Sequence, residues 1–240
     1  MKAISKTLIW LSIFSIAMGF LETSVVVYLR KLYYPDGFYF PLVAISMDVA
    51  ITEFWREAAT IIMLIGIGIL VGKNKIQRFV FFLYCFAIWD IFYYVFLKML
   101  LNWPESIFTW DILFLIPVPW VGPVIAPCII SLSMIVLTFV VVYFQEKSLN
   151  VHFKFSESVL LIVGSAVVVI SFMWDYIMYL INNGAENAVW TLSRNRDMFE
   201  EVKNYVPSSF NWYLFGIGVL FILLGLGLLV YRLNKKRKLK

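Results

Sequence analysis

Glu53-Phe54-Trp55-Arg56-Glu57 runs without a break into Ala58-Ala59-Thr60-Ile61-Ile62-Met63-Leu64-Ile65-Gly66-Ile67-Gly68-Ile69-Leu70-Val71-Gly72. Read from Val49, this stretch is long enough, as a helix rising about 1.5 Å per residue, to cross a hydrocarbon core of about 30 Å. Residues three and four apart share a helix face, so Glu53, Arg56 and Glu57 form one charged stripe that enters the membrane. Charged groups at that depth are costly unless they face protein or a wet cavity, and the stripe therefore marks a candidate site.

Comparable apolar runs recur along the chain. Of its 240 residues, 62% are hydrophobic and 15% charged, and the mean hydropathy is +0.87. Soluble domains carry roughly 25% charged residues. The expected fold is an all-α integral membrane protein, one polytopic domain over 1–240 with six transmembrane helices at about 7–29, 49–72, 79–101, 121–144, 158–181 and 210–233. Ser46 or Asp48 is placed to cap the second.

Two segments between these spans call for elements of their own. A helix from Ser106 to Phe144 would overrun any bilayer, and Pro117, Pro119, Pro123 and Pro127 interrupt it, so a short interfacial or re-entrant helix is expected at about 106–116. In the last long connection Ala188, Leu192, Phe199 and Val202 recur at near-helical spacing, which predicts an amphipathic helix on the outer surface at about 186–204.

The formal charge of +5 does not point to nucleic acid. Much of it is the tail Lys235-Lys236-Arg237-Lys238-Leu239-Lys240, directly after an apolar run, which suits anionic lipid, so the bilayer is the expected partner. Lys2 and Lys6 precede an apolar run that continues to Leu29, which favours an uncleaved first helix over a signal peptide. With both termini cytoplasmic, the inner segments hold Lys2, Lys6, Lys73, Lys75, Arg78, Lys147, Lys154, Arg232 and the tail. The expected location is a plasma membrane, by size a bacterial inner membrane.

Cys85 and Cys128 fall at different depths of two spans, and the single His152 lies in a loop. This composition argues against a disulfide, a bis-His haem, a His-rich metal site and a Ser-His-Asp triad. No Walker loop, dinucleotide fingerprint or His-Glu-x-x-His stretch occurs, nor do the paired-aspartate patterns of membrane prenyl and phosphatidyl transferases. No cofactor and no metal is expected.

The carboxylates are unevenly distributed. Counting about 1.5 Å per residue from the inner basic or acidic flanks, Glu22, Glu57, Asp90 and Asp175 all reach the outer half of the hydrocarbon core, with Glu53, Asp48, Glu105 and Asp111 above them. Trp55, Trp89, Trp103, Trp110, Trp120, Trp174, Trp190 and Trp212 share the bias, and only Trp10 is inward. An ordinary interfacial belt would place tryptophan at both surfaces. Trp89-Asp90, Trp110-Asp111 and Trp174-Asp175 are adjacent pairs, and Tyr94 and Tyr179 follow two of the acids by one turn. Carboxylates with aromatic neighbours suit a cation or amine.

The candidate ligand-binding or proton-carrying residues are accordingly Glu22, Glu53, Arg56, Glu57, Asp90 and Asp111, with Trp89, Tyr94, Trp174, Asp175 and Tyr179; no catalytic residue is assigned. The bland alternatives are a structural ion pair of Arg56 with Glu57 or Asp90, capping or interfacial roles for Glu53, Asp48 and Asp111, and chance for the Trp-Asp pairs. Gly68 and Gly72, and Gly218 and Gly225, read as close helix packing. Three functional readings compete. One is an outward-facing pocket that binds or transports a small cationic or polar solute, with or without protons. The second is an enzyme acting on a lipid or isoprenoid through carboxylate acid–base chemistry. The third is an assembly subunit whose acids pair with a membrane-protein partner or a second copy.

Overall fold

Among the described residues the chain forms six long helices, each long and apolar enough to span a bilayer, and the protein is an all-α multi-pass membrane protein. The computed structural model describes residues 2–43, 45–114, 118–147, 149–183 and 204–239. Its elements are α1 (Lys2–Tyr33), α2 (Met47–Val71), α3 (Lys75–Leu101), β1 (Trp110–Phe114), β2 (Trp120–Pro123), α4 (Ile125–Glu146), α5 (Phe155–Asn182) and α6 (Trp212–Lys238). Most of the helices overrun the apolar stretches that predict them, because polar flanks continue the backbone ladder into the interface.

Local signals set the helix ends. Ser46 caps α2 by accepting the Val49 amide, Asn74 caps α3 through the Gln77 amide at 3.0 Å, and Asn211 caps α6 through the Leu214 amide at 3.0 Å. Asn102 ends α3 in the left-handed region at φ 52°, where asparagine is one of the few tolerated side chains.

The segment at 106–116 is not the short helix expected. Residues 106–109 form a turn, in which the Thr109 hydroxyl accepts the Ser106 amide, and Trp110–Phe114 is a strand paired antiparallel with Trp120–Pro123. The register sets Asp111 opposite Gly122 and Ile112 opposite Val121. Proline explains the choice: an interrupted helix leaves carbonyls without donors, whereas a hairpin satisfies the remaining amides across strands. For the same reason α4 starts at Ile125 rather than 121, which puts Pro127 in its first turn, where no backbone donor is needed. The amphipathic helix expected at about 186–204 falls mostly on 184–203, outside the described residues.

α3 is the central post, packing against α1, α2 and α4, while α5 and α6 form a second close pair. Hydrogen bonds set the relative heights. Tyr84 of α3 meets Ser12 of α1, Thr138 of α4 donates to the Val80 carbonyl, and Gln77 donates to Gln145 at 2.8 Å. Arg232 of α6 holds both oxygens of Glu157 at the start of α5, at 2.6 and 2.8 Å. The starts of α1, α3 and α5 and the ends of α2, α4 and α6 therefore share one face, the near face. The α5–α6 contact depends on missing side chains, since a Cβ on Gly164 would lie 2.8 Å from the Gly218 carbonyl oxygen.

α1 and α2 both lean on α3, and neither packs closely on the other. This leaves a space between them in the far half of the bundle.

Candidate functional site

That space is a cavity of about 290 Å³ between α1, α2 and α3, roofed by the hairpin and by the loop that follows α1. Each wall supplies a carboxyl group: Glu22 from α1, Glu53 and Glu57 from α2, Asp90 from α3 and Asp111 from β1. Two guanidinium groups, Arg30 and Arg56, join them.

The charged stripe on α2 fastens α2 to α1. Arg56 donates through Nε to Glu53 at 2.9 Å, and its other arm pairs with Glu22 across the gap. Thr60, one turn below, directs its hydroxyl to the second Glu22 oxygen at 3.4 Å. The sequence suggests Glu57 or Asp90 as the partner of Arg56; the structure gives Glu22 and Glu53 instead. The reason is geometric, because α1 faces this part of α2 across the cleft.

A second ion pair closes the far mouth. Arg30 Nη2 lies 3.2 Å from Asp111 Oδ1, and the side chains are only 8% and 2% exposed. The guanidinium carbon lies 4.3 Å from the Phe38 ring centre and 3.8 Å from that of Trp103, so aromatic faces from two connections hold the cation. Burial drives the Asp111 carboxyl up to about 6, against the opposing pull of Arg30. Tyr34 braces the loop by accepting the Val43 amide at 2.8 Å, and its own hydroxyl is raised by burial.

Asp90 is different. Its Oδ2 accepts the Ser131 hydroxyl of α4 at 2.8 Å, and no cationic side chain among the described residues forms an ion pair with it. Trp89 and Tyr94 flank it on α3 and also line the cavity. Among the described residues, the Trp89 indole N–H and Arg30 Nη1 are buried without hydrogen-bond partners.

Eight of the sequence-selected residues thus meet in one place: Glu22, Glu53, Arg56, Glu57, Trp89, Asp90, Tyr94 and Asp111. Asp175, Trp174 and Tyr179 do not. Asp175 accepts four hydrogen bonds, from the Tyr205 hydroxyl at 2.6 Å, the Ser208 hydroxyl at 2.7 Å and the Ser208 and Ser209 amides at 3.1 and 3.2 Å. It secures the segment entering α6, and its partner Tyr205, buried and beside the carboxylate, has its hydroxyl raised. Tyr179 packs on Tyr205 with ring centres 5.3 Å apart, and Trp174 is 41% exposed. α5 turns its acid toward the segment entering α6 and away from the cavity.

Sequence reasoning passed over Arg30, Thr60 and Ser131. Arg30 reads as a basic flank after an apolar run, and only its separation from Asp111 by 81 residues of chain conceals the pair. Among the described residues no three Asp, Glu, His or Cys side chains are grouped closely enough to hold a metal ion.

No protein-family profile, no curated protein and no solved structure matches the chain.

Proposed function

We propose that this protein binds a small cationic solute in the cavity between α1, α2 and α3, and that it does so in a plasma membrane with both termini cytoplasmic, as a transport or solute-capture subunit. The observation that carries the reading is Asp90: a carboxyl within a membrane-spanning helix that, among the described residues, is hydrogen-bonded by Ser131 and by no cationic side chain, in a cavity whose described lining holds five carboxyl and two guanidinium side chains. Among the described residues that line the cavity carboxyl side chains outnumber guanidinium ones, which favours a positive guest, and Tyr93, Tyr94 and Phe54 line it too. Both arginines are engaged by Glu22, Glu53 and Asp111, and among the described residues no ion pair reaches Asp90. The basic residues of the near face support the orientation.

The test uses two probes, phenethylamine and tetramethylammonium, titrated calorimetrically against the full chain in nanodiscs. The expected result is saturable binding that weakens at least tenfold in Asp90→Asn, with unchanged thermal stability. In proteoliposomes tetramethylammonium would then enter only with the wild-type protein. Binding that survives Asp90→Asn undamaged would remove the reading, and an altered lipid extract from cells carrying that variant would point to lipid chemistry instead.

A further inference from the structure

Three acids of the cavity meet guanidinium groups, Glu22 and Glu53 at Arg56 and Asp111 at Arg30. A guanidinium can only donate, so it favours the ionised form of its carboxyl partner. Asp90 has a partner of another kind. The Ser131 hydroxyl of α4 lies 2.8 Å from its Oδ2 and is itself only 1% exposed. A hydroxyl both donates and accepts. By turning its hydrogen, Ser131 donates to an ionised Asp90 and accepts from a protonated one, so the contact fits both states of the acid.

The surroundings decide which state belongs to the empty cavity. α1 brings Glu22, Arg30 and Tyr33 to the lining, with Tyr34 just past its end, and α2 brings Glu53, Arg56 and Glu57. α3 adds Tyr93 and Tyr94, and β1 adds Asp111. From α4, Cys128 is near enough for the Asp90 charge to act on its thiol. Among these described groups the two arginines are the cations, set against four other acids. An ionised Asp90 in the empty site is thus a charge within a membrane span, among like charges and with no ion-pair partner among the described residues. A proton removes that cost when the site is empty, and a bound cation removes it when the site is full. Resting on the cavity being a cation site, we infer that proton and cation replace each other on Asp90. As the cation enters, the Asp90 O–H bond breaks, the proton leaves to water, and the carboxylate left behind takes the positive group. One positive charge leaves as one arrives, so the net charge of the site is the same in both states.

Tetramethylammonium is the probe, because it has no proton of its own to lose. It is titrated calorimetrically into the full chain in nanodiscs between about pH 8 and about pH 5.5, in buffers of different ionisation enthalpy, which together give the number of protons released per cation bound. The expected release approaches one proton as the pH is lowered, with affinity falling by up to about tenfold per pH unit over the same range. Ser131→Ala takes more from the ionised acid than from the neutral one, so the whole profile should move up by about one pH unit. Saturable binding whose affinity is flat in pH, with no proton released, overturns the exchange and leaves the cation site standing. Failure to bind at every pH overturns the cation site, and this inference with it. A profile that stays in place in Ser131→Ala assigns the proton to another carboxyl and overturns the role of Asp90. Where Ser131→Ala does not fold, infrared difference spectra at about pH 7 decide the same point. The carbonyl stretch of a protonated carboxyl should disappear from the wild type when tetramethylammonium binds and should be missing from empty Asp90→Asn. A band of undiminished size in that variant overturns the assignment.

Discussion

Asp90 and Asp175 make an instructive pair. Each follows a tryptophan, each sits far along an odd-numbered spanning helix, and by sequence they are near equivalents. Among the described residues one accepts a single hydroxyl and lines a cavity, while the other accepts four hydrogen bonds from residues 205–209. An acid in a spanning helix is therefore not by itself a binding group. Whether the chain itself uses up its lone pairs decides between a clamp and a site. Arg56 and Arg232 repeat the contrast among the cations: Arg232 joins α6 to α5 outside the cavity, whereas Arg56 holds a cavity wall.

Breaking the mouth of the cavity should have the largest effect. Arg30→Met leaves Asp111 buried without its counter-ion, and a loss of about 3–5 kcal/mol is expected at pH 7.5 by reversible denaturant unfolding in micelles. Most of it should return in Arg30→Met/Asp111→Asn. If the single variant unfolds like the wild type, the pair does not hold the roof in place.

The next effect is on pH dependence. The Asp111 carboxyl is raised from its ordinary 3.8 to about 6, so the folded state holds its proton more tightly than the unfolded chain does. Its contribution to stability is full below about pH 4 and is lost as pH rises through about 6, a change on the order of 3 kcal/mol. The difference in stability between wild type and Asp111→Asn should shrink across that window, and a flat difference would contradict the buried placement.

Asp175→Ala sharpens the comparison from the other side. It should cost about 2–4 kcal/mol by leaving the Tyr205 and Ser208 hydroxyls and two amides without an acceptor, yet leave amine affinity unchanged. Asp90→Asn is the mirror image, with a stability change within about 1 kcal/mol and lost amine binding. If the two variants exchange these behaviours, the roles assigned to the acids are reversed. The smallest effect is expected from Thr60→Val, whose 3.4 Å contact with Glu22 is long; a change of about 0.5 kcal/mol is anticipated in the same unfolding assay.

Particular residues show how far reading ahead can reach. The stripe of Glu53, Arg56 and Glu57 is legible because helical spacing is local and the apolar run behind it forces a helix. The hairpin is not, since Trp110–Phe114 is too short to declare a period and its partner strand lies beyond two prolines. Asp111 could be placed near the outer surface by counting. Its burial under the roof required Arg30, Phe38 and Trp103 to arrive from two other connections.

The amino-acid order alone determined six helices long and apolar enough to cross a bilayer, and which of their ends carry positive charge. Those properties follow from runs of adjacent residues and from the rise of a helix, and need no knowledge of neighbours. Which acids meet was decided only by tertiary packing. α1 and α2 lean on α3 without closing on each other, and α5 turns instead to α6 through Gly164 and Gly218. The rotation of each helix about its axis is set by its contacts, and a shared depth says nothing about direction.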